Sequence, residues 1–89
     1  MRMLRTPEGR FDPFPDLLYP AHYIHIDSGD GTPARMHYWD EGPRHADRLL
    51  LLLHGEPSWA FGFRRVIAGC ARAGIRCVAP DLLGFGRSD

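Results

Sequence analysis

Leu49-Leu50-Leu51-Leu52-Leu53-His54-Gly55-Glu56-Pro57-Ser58-Trp59 is the stretch whose reading decides the fold. Five consecutive leucines show no alternation, so a strand built from them is apolar on both faces. That is the pattern of a strand inside a sheet covered by helices on both sides. The glycine and proline behind it turn the chain into a loop. Over residues 60–73 the apolar period becomes helical. Phe63, Val66, Ile67 and Cys70 fall on one face, and Arg64, Arg65 and Arg72 face away. Gly74 fits a helix C-terminal cap, and residues 75–79 read as a second short buried strand. Strand, helix and strand in this order form a βαβ unit, expected to be parallel and right-handed. Residues 80–89, Pro-Asp-Leu-Leu-Gly-Phe-Gly-Arg-Ser-Asp, read as a loop.

Upstream, residues 22–27 alternate, with Tyr23 and His25 opposed to Ile24 and Ile26. Residues 35–40 alternate again, with Met36, Tyr38 and Asp40 opposed to His37 and Trp39. The Gly/Asp cluster at 28–31 joins the two as an antiparallel hairpin. Residues 1–20 hold four prolines, at 7, 13, 15 and 20, which exclude a regular helix. They read as an extended N-terminal arm anchored by Phe11, Phe14 and Tyr19. Residues 21–89 read as an incomplete α/β domain, because the 49–53 strand has a face with no partner in the sequence.

The chain has 89 residues, 44% apolar and 25% charged, with a formal net charge of zero. This balance gives no footprint for nucleic acid or an anionic membrane as partner. The longest apolar run is far shorter than the ~20 residues of a membrane-spanning helix. The N-terminus has no apolar stretch of the signal-peptide kind, so a cytoplasmic protein is expected. Cys70 and Cys77 match neither a C-x-x-C pair nor a zinc spacing and read as two buried thiols in a reducing compartment.

Five histidines, at 22, 25, 37, 45 and 54, are scattered, with His25 and His37 as possible cross-strand neighbours. No helical His/Glu pair occurs, so no metal is expected. Gly86-Arg87-Ser88 is the front half of a G-x-S-x-G nucleophile elbow. A glycine turn rather than a strand leads into it, so Ser88 is set aside as nucleophile. Gly84 and Gly86 lack the remainder of a phosphate loop. Asp81, after Pro80, is explained by an Asx turn. The His54–Trp59 loop lies where open α/β sheets bind ligands, beyond the carboxyl end of a strand. Its backbone N–H groups can stabilise developing negative charge. A plain βα connection is the alternative, and Trp59 can be either core or pocket wall.

Together, residues 50–59 (Leu-Leu-Leu-Leu-His-Gly-Glu-Pro-Ser-Trp) and 79–89 (Ala-Pro-Asp-Leu-Leu-Gly-Phe-Gly-Arg-Ser-Asp) resemble the haloalkane dehalogenases of the α/β-hydrolase superfamily. Arg5-Thr6-Pro7, the Phe-rich arm, the 23–27 strand, Met36-His37-Tyr38 and Asp40-Glu41-Gly42-Pro43 are similar to that family's start. His-Gly-x-Pro is shared with epoxide hydrolases and esterases. Glu56 with Ser58-Trp59 is the more specific part.

The resemblance implies an N-terminal portion of an α/β-hydrolase fold and covalent catalysis in two steps. An aspartate displaces halide from carbon, and water activated by a histidine with its acid then hydrolyses the ester. No metal or organic cofactor is implied, and the substrate is a small halogenated alkane. The resemblance makes the backbone N–H of Glu56 part of the oxyanion hole, with Glu56 and Trp59 at the substrate. It places nucleophile, acid, histidine and cap beyond Asp89, so the 89 residues are expected to be inactive alone. It pairs the free side of the 49–53 strand with the nucleophile strand. Left unpaired, that edge is an aggregation site. Another hydrolase chemistry, or a non-catalytic remnant or interaction fragment, are the alternatives.

Overall fold

The computed structural model describes residues 3–11, 19–27, 29–55 and 59–89. Four strands form one mixed sheet: β1 (His22–Asp27), β2 (Pro33–Glu41), β3 (Leu49–Leu51) and β4 (Arg76–Pro80), in the order β1-β2-β4-β3. β1 and β2 are the antiparallel hairpin, with Tyr23 opposite His37 and His25 opposite Arg35. His25 and His37 are therefore not cross-strand neighbours. Between the strands, Asp27 Oδ1 accepts from the Gly29 and Gly31 N–H groups at 2.9 and 3.0 Å. Asp30 Oδ1 accepts from Thr32 N–H. These local carboxylate bonds close the turn and set the register.

β3 and β4 are adjacent and parallel, as a βαβ unit requires, with Leu50 opposite Cys77. β4 also pairs antiparallel with β2, placing Trp39 opposite Ala79. The connecting segment begins as a 3-10 turn (Ala60–Phe63) and becomes regular only in α1 (Arg64–Arg72). Gly74 follows the helix with φ +81°, the left-handed conformation that glycine adopts without strain. Ile75 N–H donates to Cys70 O and Gly74 N–H to Ala71 O, a Schellman closure of the helix end.

The alternation of β2 sends His37 and Trp39 to the covered face of the sheet, beside Cys77 and Ala79 of β4. Trp39, Ala60, Ile67, Cys77 and Ala79 are the core, with Tyr19, Leu52, Phe61, Phe63 and Cys70 packed around them. Tyr19 lies edge-on to Trp39 at 5.0 Å between centroids, and its hydroxyl donates to Arg64 O at 3.0 Å. The arm is thus fastened at Tyr19. A 3-10 turn at Glu8–Phe11 interrupts its extended course. Phe14 and the side chain of Phe11 lie outside the described residues. Cys77 is buried and Cys70 only half-buried. Burial, and then the neighbouring Cys70 thiol, push the Cys77 thiol up to about 11.

Two expectations are corrected. Leu49, Leu51 and Leu53 are 58%, 62% and 57% exposed, so the five-leucine strand is not buried on both faces. Among the described residues, β4 is its only strand partner, and α1 sits over the sheet where β2 and β4 run. Val66, assigned to the buried face of the helix, is 47% exposed for the same reason. Ile67 alone on α1 is completely buried.

Arg76 grips Asp40 across β4 and β2 with two bonds of 2.8 and 2.6 Å and holds the Asp40 carboxyl below its ordinary range. Arg5 makes a second bidentate contact, to Asp89, at 2.6 and 2.8 Å. Arg5, helped by Arg35 N–H, holds the Asp89 carboxyl at about 2 against an ordinary 3.8. Since the folded value is the lower one, this tether stabilises the fold above pH 3.8 and is lost as pH falls toward 2. The urea midpoint should therefore drop between those values, and Arg5→Ala should flatten that drop. Parallel pH profiles for the two proteins would contradict the assignment.

Candidate functional site

β3 and β4 run parallel, so their carboxyl ends lie side by side. Leu52 N–H extends the pairing by donating to Val78 O at 2.9 Å. His54 follows β3 and Asp81 follows β4 directly. Both side chains are buried at the head of the sheet. Glu56, the residue expected to supply an oxyanion N–H, lies outside the described residues, as do Pro57 and Ser58. The structure describes both sides of that segment, at 54–55 and at 59–60.

His54 turns toward the loop that follows β4. Its Nε2 accepts from Leu82 N–H at 2.9 Å, and its Nδ1 lies 3.0 Å from Gly55 O. A backbone amide can only donate and a carbonyl can only accept. The two contacts together therefore require the neutral ring with its proton on Nδ1. Phe85 covers the ring edge-on at 5.3 Å.

Asp81 is completely buried, and its carboxylate accepts from three separate parts of the chain. Oδ1 receives Ala60 N–H at 2.6 Å. Oδ2 receives Arg87 N–H at 2.9 Å and faces His37 Nδ1 at 3.0 Å. Beside it, Ser88 Oγ donates to Asp81 O and accepts from His37 N–H at 2.8 Å. Asp81 is therefore no Asx turn. Its partners lie 6, 21 and 44 residues away in sequence.

Ser88, His37 and Asp81 thus meet in one place, but not as a catalytic triad. A triad needs the serine hydroxyl on His Nε2. Here Ser88 engages the backbone, and His37 Nε2 is a buried atom with no hydrogen-bond partner among the described residues. Ser88 is itself buried. This constellation ties loop 81–89 to β2.

Trp59 is half-buried, stacks on Phe61 at 5.3 Å and 17°, and lies over Gly86. The structure thus places Trp59 against the 81–89 loop, directly before the buried Ala60. Among the described residues no group of three or more His, Cys, Asp or Glu is arranged to hold a metal ion, and no helix is long and apolar enough to cross a membrane. His22 stacks on Tyr38, and His25 and His45 are exposed. Sequence reasoning missed the roles of His54 and Asp81. The available signal was two polar residues placed at the ends of adjacent parallel strands.

Gly86 is the point where this packing leaves no room. It has φ +50°, and a Cβ there would lie 2.8 Å from Trp59 Cε3 and closer still to the Asp81 carboxylate. Backbone strain and overpacking add, so Gly86→Ala should cost about 3 kcal/mol. Chemical unfolding checks this. An unchanged midpoint would show that Trp59 and Asp81 are not packed as described.

The model of the alpha/beta hydrolase fold matches residues 48–89. The whole chain aligns at 52% identity with a haloalkane dehalogenase of Psychrobacter cryohalolentis, covering 29% of that protein. Among solved structures, the haloalkane dehalogenase DpaA from Paraglaciecola agarilytica NO2 superposes over the whole chain with TM-score 0.88 and 46% identity, again over 29% of its length. An epoxide hydrolase from Vigna radiata superposes over 80% of the chain and 20% of its own, with TM-score 0.65 and 28% identity. The chain spans under a third of the length of the haloalkane dehalogenases it matches. The fold is that of the α/β hydrolases, of which the mixed sheet and its one helix fit an N-terminal portion, and along its entire length the chain is similar to haloalkane dehalogenases.

Proposed function

We propose that these 89 residues contribute to a hydrolase that cleaves carbon–halogen bonds in small halogenated alkanes. The observation that carries this reading is the 52% identity along the whole chain to a haloalkane dehalogenase, against 28% to an epoxide hydrolase of the same fold. In the proposed reaction an aspartate carboxylate forms a C–O bond to the substrate carbon as the C–halogen bond breaks and halide departs. Water then attacks the ester carbonyl. The alcohol leaves, and the carboxylate is restored with release of a proton.

These residues supply the surroundings and not the nucleophile. In this proposal the backbone N–H of Glu56 faces the oxygen that gains charge in the second step, and Trp59 contributes to the wall of the substrate site. A preorganised N–H of this kind is worth roughly a hundredfold or more in rate. The reaction needs no metal or organic cofactor, and a cytoplasmic enzyme acting on a small molecule accounts for the composition. The edge of β3 that has no strand partner among the described residues, with its exposed leucines, is the place where the remaining hydrolase would pair. Without it, the edge favours self-association.

Bromide release from a short bromoalkane tests the proposal, comparing the 89-residue chain with a chain extended through its downstream reading frame. Only the extended chain should release bromide, and the short chain should run above monomer mass on a sizing column. Turnover by the short chain would mean that one of its own residues is the nucleophile. An inert extended chain would favour another hydrolase chemistry.

A further inference from the structure

The last turns of α1 and the start of β4 bring two thiols to one interface. Cys70 lies one turn beyond Ile67, the helix residue that is completely buried against the sheet. Cys77 lies on β4, between β2 and β3, with Glu41 and Leu50 opposite it. Its side chain shares the covered face of the sheet with Trp39 and Ala79. The reversal between helix and strand is tight. Cys70 O accepts from Ala73 N–H at 3.0 Å and from Ile75 N–H at 2.9 Å, and Gly74 in the left-handed conformation turns the chain back. Cys70 therefore packs onto the core of which Cys77 is a member, and the two thiols adjoin. No sequence spacing announces this pair, because the end of the helix creates it.

We propose that Cys70 and Cys77 form a modification site, a dithiol at which hydrogen peroxide closes a disulfide between α1 and β4. The site stands apart from the proposed hydrolase chemistry. Cys77 lies near the amino end of β4, whereas Asp81 follows the carboxyl end.

Exposure sets the order of steps. Cys70 is half-buried and Cys77 wholly buried, so the Cys70 sulfur is the one that meets the oxidant. Burial and the adjoining thiol push the Cys77 thiol up to about 11, which makes it a poor first nucleophile. The Cys70 thiolate attacks one peroxide oxygen, the O–O bond breaks, and hydroxide leaves to take up the thiol proton as water. Cys70 is then a sulfenic acid, which condenses with a neighbouring thiol. The Cys77 sulfur attacks the Cys70 sulfur, the S–O bond breaks, and a second water departs with the Cys77 proton. Two thiols thus lose two protons and two electrons, and one peroxide becomes two waters. A thiol reductant reverses the change.

Treatment of the 89-residue chain with hydrogen peroxide at low protein concentration tests the proposal. Arg72 and Arg76 let trypsin cut between the two cysteines. A disulfide within the chain should leave peptides 66–72 and 77–87 joined, with the mass of the pair less two hydrogen atoms. Both cysteines should lose labelling by iodoacetamide in urea, and dithiothreitol should restore it. In Cys77→Ala, Cys70 should accumulate as a sulfenic acid trapped by dimedone. In Cys70→Ala, Cys77 should keep its thiol at the same dose.

Disulfides between chains in place of the joined peptides would overturn the proposal. So would a wild-type chain whose Cys70 passes to sulfinic acid while Cys77 stays a thiol, or one that keeps both thiols in excess peroxide. The wild-type peptide map decides the matter even where a variant fails to fold.

Discussion

The Asp81 carboxylate is the constraint on which the rest of this structure depends. An ionised carboxylate out of water is costly unless every lone pair finds a donor. Here the donors come from β2, through His37, from the first residue of the 3-10 turn before α1, through Ala60, and from the closing loop, through Arg87. The need to satisfy one buried charge therefore brings three distant parts of the chain to the end of β4. Ser88 locks the arrangement by bonding the Asp81 carbonyl and the His37 amide. Gly86 makes room for it by having no side chain.

The apolar core does less to bind these parts together than the composition suggests. Its fully buried members are few, and two of them are alanines. Much of the apolar surface stays exposed, above all on β3. In so small a core, polar contacts that link remote segments carry a larger share of the fold's specificity. Arg76 to Asp40 ties β4 to β2, and Arg5 to Asp89 ties the arm to the last loop. The exposed leucines fit a strand whose outer neighbours belong to the larger hydrolase proposed above.

Much of the architecture was legible in the sequence, for identifiable reasons. The hairpin showed because its strands alternate with period two and its turn contains Asp27, Gly29, Asp30 and Gly31. The parallel pair showed because the leucine run and residues 75–79 flank a helical period. The exposure of Leu51 and Val66 was misjudged because burial depends on what covers a residue, and periodicity states only which residues share a face. The cross-strand partner of His37 was misjudged because the turn chemistry sets the register. Asp81 was read as a local turn because its partners lie 21 and 44 residues away, where no local pattern reaches. His54 was legible as a loop residue but not as an anchor, since its partner Leu82 is a backbone amide.

Asp81→Asn tests the account most directly, because it keeps the shape and removes the charge. A carboxylate presents acceptors on both sides, whereas an amide must turn its NH2 toward either Ala60 N–H or Arg87 N–H. One buried backbone donor is then unpaired in each orientation, so the unfolding free energy should fall by about 3 kcal/mol. An Asp81→Asn protein as stable as the wild type would contradict the central place given to this carboxylate.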